Sequence, residues 1–186
     1  MKRLALILLA LGACGDNEVP PLRYTNPGAG KLRLVQDARR STKYVVLDLV
    51  VGDEPLTGYS VGFDLPLDDT RVKLDGFTTG LALNPGTDPV AAAAALPTSG
   101  PLAHMLVTGV SQKASGAGAI ATDTVLKPHA KLYSLQLDLV QGAPAGIVFD
   151  GTASGFLLPS GGLRDRAGNS VVDAKDVAIG KLEVTR

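Results

Sequence analysis

The chain has no tryptophan, and four phenylalanines with four tyrosines are its whole aromatic complement in 186 residues. Little is left for ring-stacking platforms once a core has been filled. There are two histidines, His104 and His129, 25 positions apart, and one cysteine, Cys14. A lone cysteine excludes an internal disulfide, and this inventory argues against a structural zinc site of four nitrogen or sulfur ligands. Net charge is also missing, with 18 Lys and Arg against 18 Asp and Glu. Nucleic-acid binding demands a basic face, which this balance does not supply. No stretch is apolar for long enough to cross a bilayer core of ~30 Å as a helix. What the chain has in plenty is glycine, 22, and proline, 12. Aliphatic segments broken by so many turn formers predict many strands and few helices.

The first residues read as a targeting segment. Lys2 and Arg3 precede an apolar run from Leu4 to Leu11, followed by Gly12-Ala13-Cys14. A basic start, a short apolar run and small residues before a break describe a secretory signal. The stretch Leu11-Gly12-Ala13-Cys14 resembles the lipobox of bacterial lipoprotein precursors: aliphatic, small, small, cysteine. The resemblance implies cleavage before Cys14, diacylglycerol on its sulfur and a further acyl chain, such as palmitate, on its new amino group. Each buried methylene contributes ~0.8 kcal/mol, so several chains anchor stably where one would not. An ordinary cleaved signal with an incidental cysteine is the alternative. Gly15 rather than aspartate follows the cysteine, which by the same resemblance favours the outer membrane over the inner. Residues 1–13 are thus assigned to the signal and 14–30 to a lipidated N-terminus and tether. That tether is polar, is broken by Pro20, Pro21 and Pro27, and spans roughly 20–24 Å as a flexible chain. Residues 31–186 remain as one domain. Losing Lys2 and Arg3 leaves 16 basic and 18 acidic residues, a formal charge of −2.

From Lys31 onward a period of two dominates, the mark of strands with one buried face. Leu32 and Leu34 alternate with Arg33. Val45, Leu47, Leu49 and Val51 share a face, with Asp48 opposite. The clearest alternation puts Tyr59, Val61, Phe63, Leu65 and Leu67 on one side, and Ser60, Gly62, Asp64, Pro66 and Asp68 on the other. Val72 and Leu74, Leu102 to Val110, and Tyr133, Leu135, Leu137 and Leu139 continue the pattern. Ile147 with Phe149, and Phe156 with Leu158, predict two shorter strands. The last segment, Val177 to Val184, changes phase at Gly180, which predicts a bulge there. One short helix is expected over Asp88 to Ala95, capped by Asp88 with Pro89 in its first turn. Turn signals about every ten residues argue for an antiparallel β-sandwich.

The run Gly58-Tyr59-Ser60-Val61-Gly62-Phe63-Asp64-Leu65-Pro66-Leu67-Asp68, with Val72 and Leu74 after it, resembles the early strands of cohesin-type and related carbohydrate-binding sandwiches. Lys131 to Leu135, Ile147 to Asp150 and Gly180 to Val184 resemble later strands of the same domains. The resemblance implies an all-β jelly-roll of about nine strands used for non-catalytic binding. It transfers no binding residue.

Three chemistries remain to be weighed. Gly58-Tyr59-Ser60-Val61-Gly62 matches the G-x-S-x-G of serine hydrolases. That motif works only where a tight strand-to-helix turn thrusts the serine outward, and here the alternation runs on to Leu67, so Ser60 is expected to lie flat on a strand. His104 is expected to be a partly buried strand residue and His129 a surface turn residue. Calcium needs several oxygen ligands; Asp64 and Asp68, and Asp165 with Asn169, are the candidates, although their spacing is not that of an EF-hand. Tyr24, Tyr44, Phe77 and Phe156 are the aromatics left for a sugar. The expectation is an envelope lipoprotein, attached to the membrane through Cys14, whose sandwich recognises an envelope or extracellular protein. A carbohydrate-binding module and a hydrolase built on Ser60 are the alternatives.

Overall fold

The computed structural model describes residues 21–80, 82–83, 91–113, 116, 119–120 and 122–185. Cys14 and the signal lie outside them. Fifteen strands follow one another: β1 Leu22–Thr25, β2 Leu32–Arg40, β3 Tyr44–Val51, β4 Leu56–Gly58, β5 Ser60–Pro66, β6 Val72–Thr79, β7 Ala91–Ala95 and β8 Met105–Ser111, then β9 Thr124–Leu126, β10 Lys131–Leu139, β11 Gly146–Asp150, β12 Ser160–Arg164, β13 Ser170–Asp173, β14 Val177–Ala178 and β15 Lys181–Val184. Nine of them have five residues or more, against the about nine strands that the cohesin-type resemblance implies. The one helical element described is a single 3-10 turn, Ala174–Asp176.

Two five-stranded sheets, ordered β14-β2-β3-β10-β6 and β13-β12-β5-β8-β7, form the sandwich; β1-β15-β11 and the pair β4-β9 complete it. Among the described residues every pairing is antiparallel except that of β14 with β2. The parity read from the sequence sets the core. Leu32, Leu34, Leu47, Leu49, Leu135 and Leu137 are buried from the first sheet, and Val61, Phe63, Leu65, Leu106, Val110 and Leu163 from the second. Burying such side chains contributes about 1.5–3 kcal/mol each, offset mostly by chain entropy. A polar tie crosses this core. Thr108 Oγ1 accepts from the Phe63 N–H and donates to the Phe63 carbonyl, both at 3.1 Å. Its hydroxyl proton being so used, the fully buried Tyr133 hydroxyl donates to it at 2.8 Å. Burial pushes the Tyr133 hydroxyl pKa up.

Several elements differ from expectation. Leu22–Thr25, assigned to the tether, is strand β1 paired with β15. Tyr24 is buried, its hydroxyl donating to the Leu34 carbonyl at 2.7 Å and accepting from the Gly180 N–H at 2.9 Å. The folded chain therefore starts before Lys31. Ala91–Ala95 is a strand paired along β8, not part of a helix. A helix of one or two turns has little stability of its own, so pairing at a sheet edge overrides alanine's preference; residues 88–90 of that expected helix lie outside the described residues. The phase change at Gly180 is no bulge: β14 pairs with β2 and β15 with β1 and β11, so the chain changes sheets there. Any side chain at Gly180 would strike the Thr25 carbonyl and the Tyr24 ring. In the β11–β15 pairing a register shift lies in β11, between Ile147 and Phe149; Val148 and Phe149 are buried and Ile147 exposed. Phe156 and Leu158 lie in a loop before β12. Asp48 faces away from the core yet is buried, accepting from Ser134 Oγ at 2.6 Å and pairing with Lys131 at 3.3 Å.

Candidate functional site

The outer face of the β13-β12-β5-β8-β7 sheet carries a shallow concavity. Its strands are registered so that one row across the sheet reads Gly162, Gly62, Gly109, Ala93. The row above it reads Arg164, Ser60, Ser111; the row below, Ser160, Asp64, Val107, Ala95. A line of glycines and alanine lies between rows that carry side chains. The result is a shallow groove of about 550 Å³ with main chain as its floor. Arg164 stands at one end without an ion pair among the described residues. Asp64, which accepts from Ser160 Oγ at 2.6 Å, stands at the other. Four strand residues separate these ends, or about 13 Å.

The glycines of this floor have different causes. A Cβ at Gly62 would strike the Thr108 carbonyl, and Gly162, at φ +114°, would drive one into the Val172 carbonyl. Close backbone approach accounts for both. Gly109 has open space where a Cβ would be, and no positive φ. Nothing in the sheet requires it to be bare, although glycine weakens a strand.

Ser60 lies at the start of β5, opposite Ser111 and Arg164. The strand runs on to Pro66 with no helix after it, so the hydrolase elbow is not formed. Neither histidine serves it. His104 is not in the strand expected to hold it but in the turn before β8, at φ 62° and 65% exposed, with Nδ1 2.8 Å from Asp69. That turn is at the far end of β5, about 20 Å from Ser60. His129 is in an exposed turn at φ 61°, 3.2 Å from Arg33 Nη2. No triad is assembled around Ser60 among the described residues.

The oxygen ligands proposed for calcium do not converge. Asp64 and Asp68 belong to the Pro66 end of β5, whereas Asp165 and Asn169 follow β12 at the Ser60 end. Each is engaged. Asp68 pairs with Arg71 and accepts from the Thr70 N–H at 3.0 Å. Asp165 accepts from the Asn169 side chain at 2.9 Å and the Asn169 N–H at 2.7 Å, which holds its carboxyl below the usual range. No group of three or more His, Cys, Asp or Glu suited to a metal occurs among the described residues. The eight aromatics are likewise committed: Tyr24, Tyr59, Phe63, Tyr133 and Phe149 are buried, and Tyr44, Phe77 and Phe156 half-buried. Parity reasoning found Ser60, Gly62 and Asp64 on one outer face. It missed Arg164, Gly109 and Ala93, because only strand register brings them beside that strand.

No family model matches the chain, and no curated protein matches it. Among solved structures it is similar to the solution structure of CaCohA2 from Clostridium acetobutylicum, at 15% identity and a TM-score of 0.45, over 86% of this chain and 89% of that one.

Proposed function

We propose that the sandwich is a binding or assembly domain held at the bacterial envelope by lipid on Cys14, with an envelope or extracellular protein docking on the groove of the β12-β5-β8-β7 face. The observation that carries this reading is the bare floor at Gly109. A glycine that costs strand stability and relieves no clash is accounted for by a surface kept clear for a partner. Exposed main chain between a cationic and an anionic end suits an extended peptide segment with an acidic group near Arg164. Main-chain pairing along the edge strand β7 would extend the same surface. The half-buried or buried state of every aromatic places polysaccharide second, since sugar platforms stack rings on exposed aromatic faces. The outer membrane remains the proposed location, on the strength of Gly15.

The test is Gly109→Trp, which fills the groove from a position with room for a side chain. Crosslinking from native envelopes should recover a specific protein with the wild-type chain and lose it with the variant, while thermal unfolding is little changed. Equal recovery with both chains removes the groove from the reading. Glycan-array binding that Gly109→Trp abolishes, with no protein recovered, puts carbohydrate in its place.

A further inference from the structure

The topology collects one set of exposed groups at the end of the sandwich where the chain emerges toward Cys14. β1 begins at Leu22, opposite Val184, and Val184 also pairs with Gly146 at the start of β11. β11 follows β10, whose last residue, Leu139, donates its N–H to the Lys43 carbonyl at 2.7 Å. Pro21, the β2–β3 hairpin tip at residues 41–43 and the turn before β8 therefore share one end. At that tip Arg40 and Lys43 have no carboxylate partner among the described residues. Of the acids toward this end, Asp37 is paired with Arg39 at 2.9 Å, Asp68 with Arg71 and Asp69 with His104 at 2.8 Å; Asp138, opposite Tyr44, accepts from Gln136 Nε2 at 2.8 Å. Two large apolar side chains are exposed at the same end, Leu102 at 45% and Ile147 at 51%. Seven residue steps join Cys14 to Pro21, so that end stands no more than roughly 25 Å from the anchor.

From the uncompensated cations, the apolar flank and the short covalent reach, we infer that this end is a membrane-contact surface, with Arg40 and Lys43 pairing with anionic phospholipid headgroups. The inference rests on the anchor at Cys14. It fixes how the domain stands, hairpin tip against the bilayer and the opposite end, with the β4-β9 pair, away from it. Each cation near an anionic surface favours the contact by about fivefold, and salt weakens it over a screening length of about 8–10 Å.

The full chain, purified from membranes with its lipid confirmed by mass, tests this after Thr42→Cys or Val125→Cys is introduced and labelled with a fluorophore. Both positions are exposed, at opposite ends. An acylated Cys14 leaves the new cysteine as the only free thiol. The proteins are placed on vesicles of phosphatidylcholine alone or mixed with phosphatidylglycerol, each bearing a headgroup quencher. The expected result is retention on both, with quenching at Thr42 at least about twofold above that at Val125 only when phosphatidylglycerol is present. Raised salt should abolish the difference, as should Arg40→Glu with Lys43→Glu. Salt serves as the independent readout if the double variant does not fold. Retention with equal quenching at the two sites, or a difference indifferent to phosphatidylglycerol and salt, overturns the contact surface and leaves the anchor standing. Loss from both vesicles, or label on Cys14, overturns the anchor and the contact together.

Discussion

Tyr24 shows how much one hydroxyl can hold. It is bonded to the carbonyl of Leu34 on β2 and to the N–H of Gly180, where the chain leaves one sheet for another. Burial pushes its pKa up, offset in part by the Gly180 bond, so the group stays protonated and keeps its proton for Leu34. Tyr24→Phe keeps the ring against Phe149 (centroids 6.1 Å apart) and strips partners from two main-chain groups. An unsatisfied buried group costs about 1–3 kcal/mol. The variant should lose stability in that range, seen as a lower denaturant midpoint with an unchanged slope. A loss below a few tenths of a kcal/mol would mean that water reaches both groups. Such a role was illegible in the sequence, because tyrosine among prolines and polar residues gives no parity to read.

At the scale of strands, the fold demands glycine at 62, 162 and 180 and does not demand it at 109. Gly180→Ala and Gly62→Ala should each destabilise by ~2 kcal/mol or more, since backbone must move to admit the methyl group. Gly109→Ala should stabilise by about 0.5–1 kcal/mol, as alanine has less backbone freedom to lose. Paired thermal melts decide it; a destabilised Gly109→Ala would show that the glycine is structural and withdraw the main support for the groove. The long strands were legible because burial of one face writes itself into alternation, as at Tyr59 to Leu67 and Tyr133 to Leu137. Two things were not. The phase change at Gly180 looks the same in sequence whether made by a bulge or by a change of sheet. Ala91 to Ala95 has no alternation at all, so local propensity spoke for helix until β8 was there to pair with it. The groove needed register across four strands, which no single strand encodes.

For the whole molecule, the boundary of the folded unit is the clearest revision. A chain beginning at Lys31, where alternation starts, lacks β1 and leaves β15 with one neighbour fewer. Burial of Leu22 and Tyr24 contributes about 3–6 kcal/mol, a large share of the 5–15 kcal/mol typical of a domain. That chain should be unfolded or strongly destabilised beside one beginning at Pro21, by circular dichroism and urea titration; equal stability would make β1 an appendage. β1 also has a mechanical meaning. It lies antiparallel to β15 over four residue pairs, Leu22–Val184 to Thr25–Lys181, and the chain leaves it at the hairpin-tip end. If the domain is anchored at Cys14 and gripped on its groove by a partner, as proposed above, tension between the two would draw β1 along its own axis. Its bonds to β15, being perpendicular to the strands, would be loaded together in shear instead of peeled one after another. Under that proposed anchor, β1 would act as a splice, giving the short leash a grip that resists a pull.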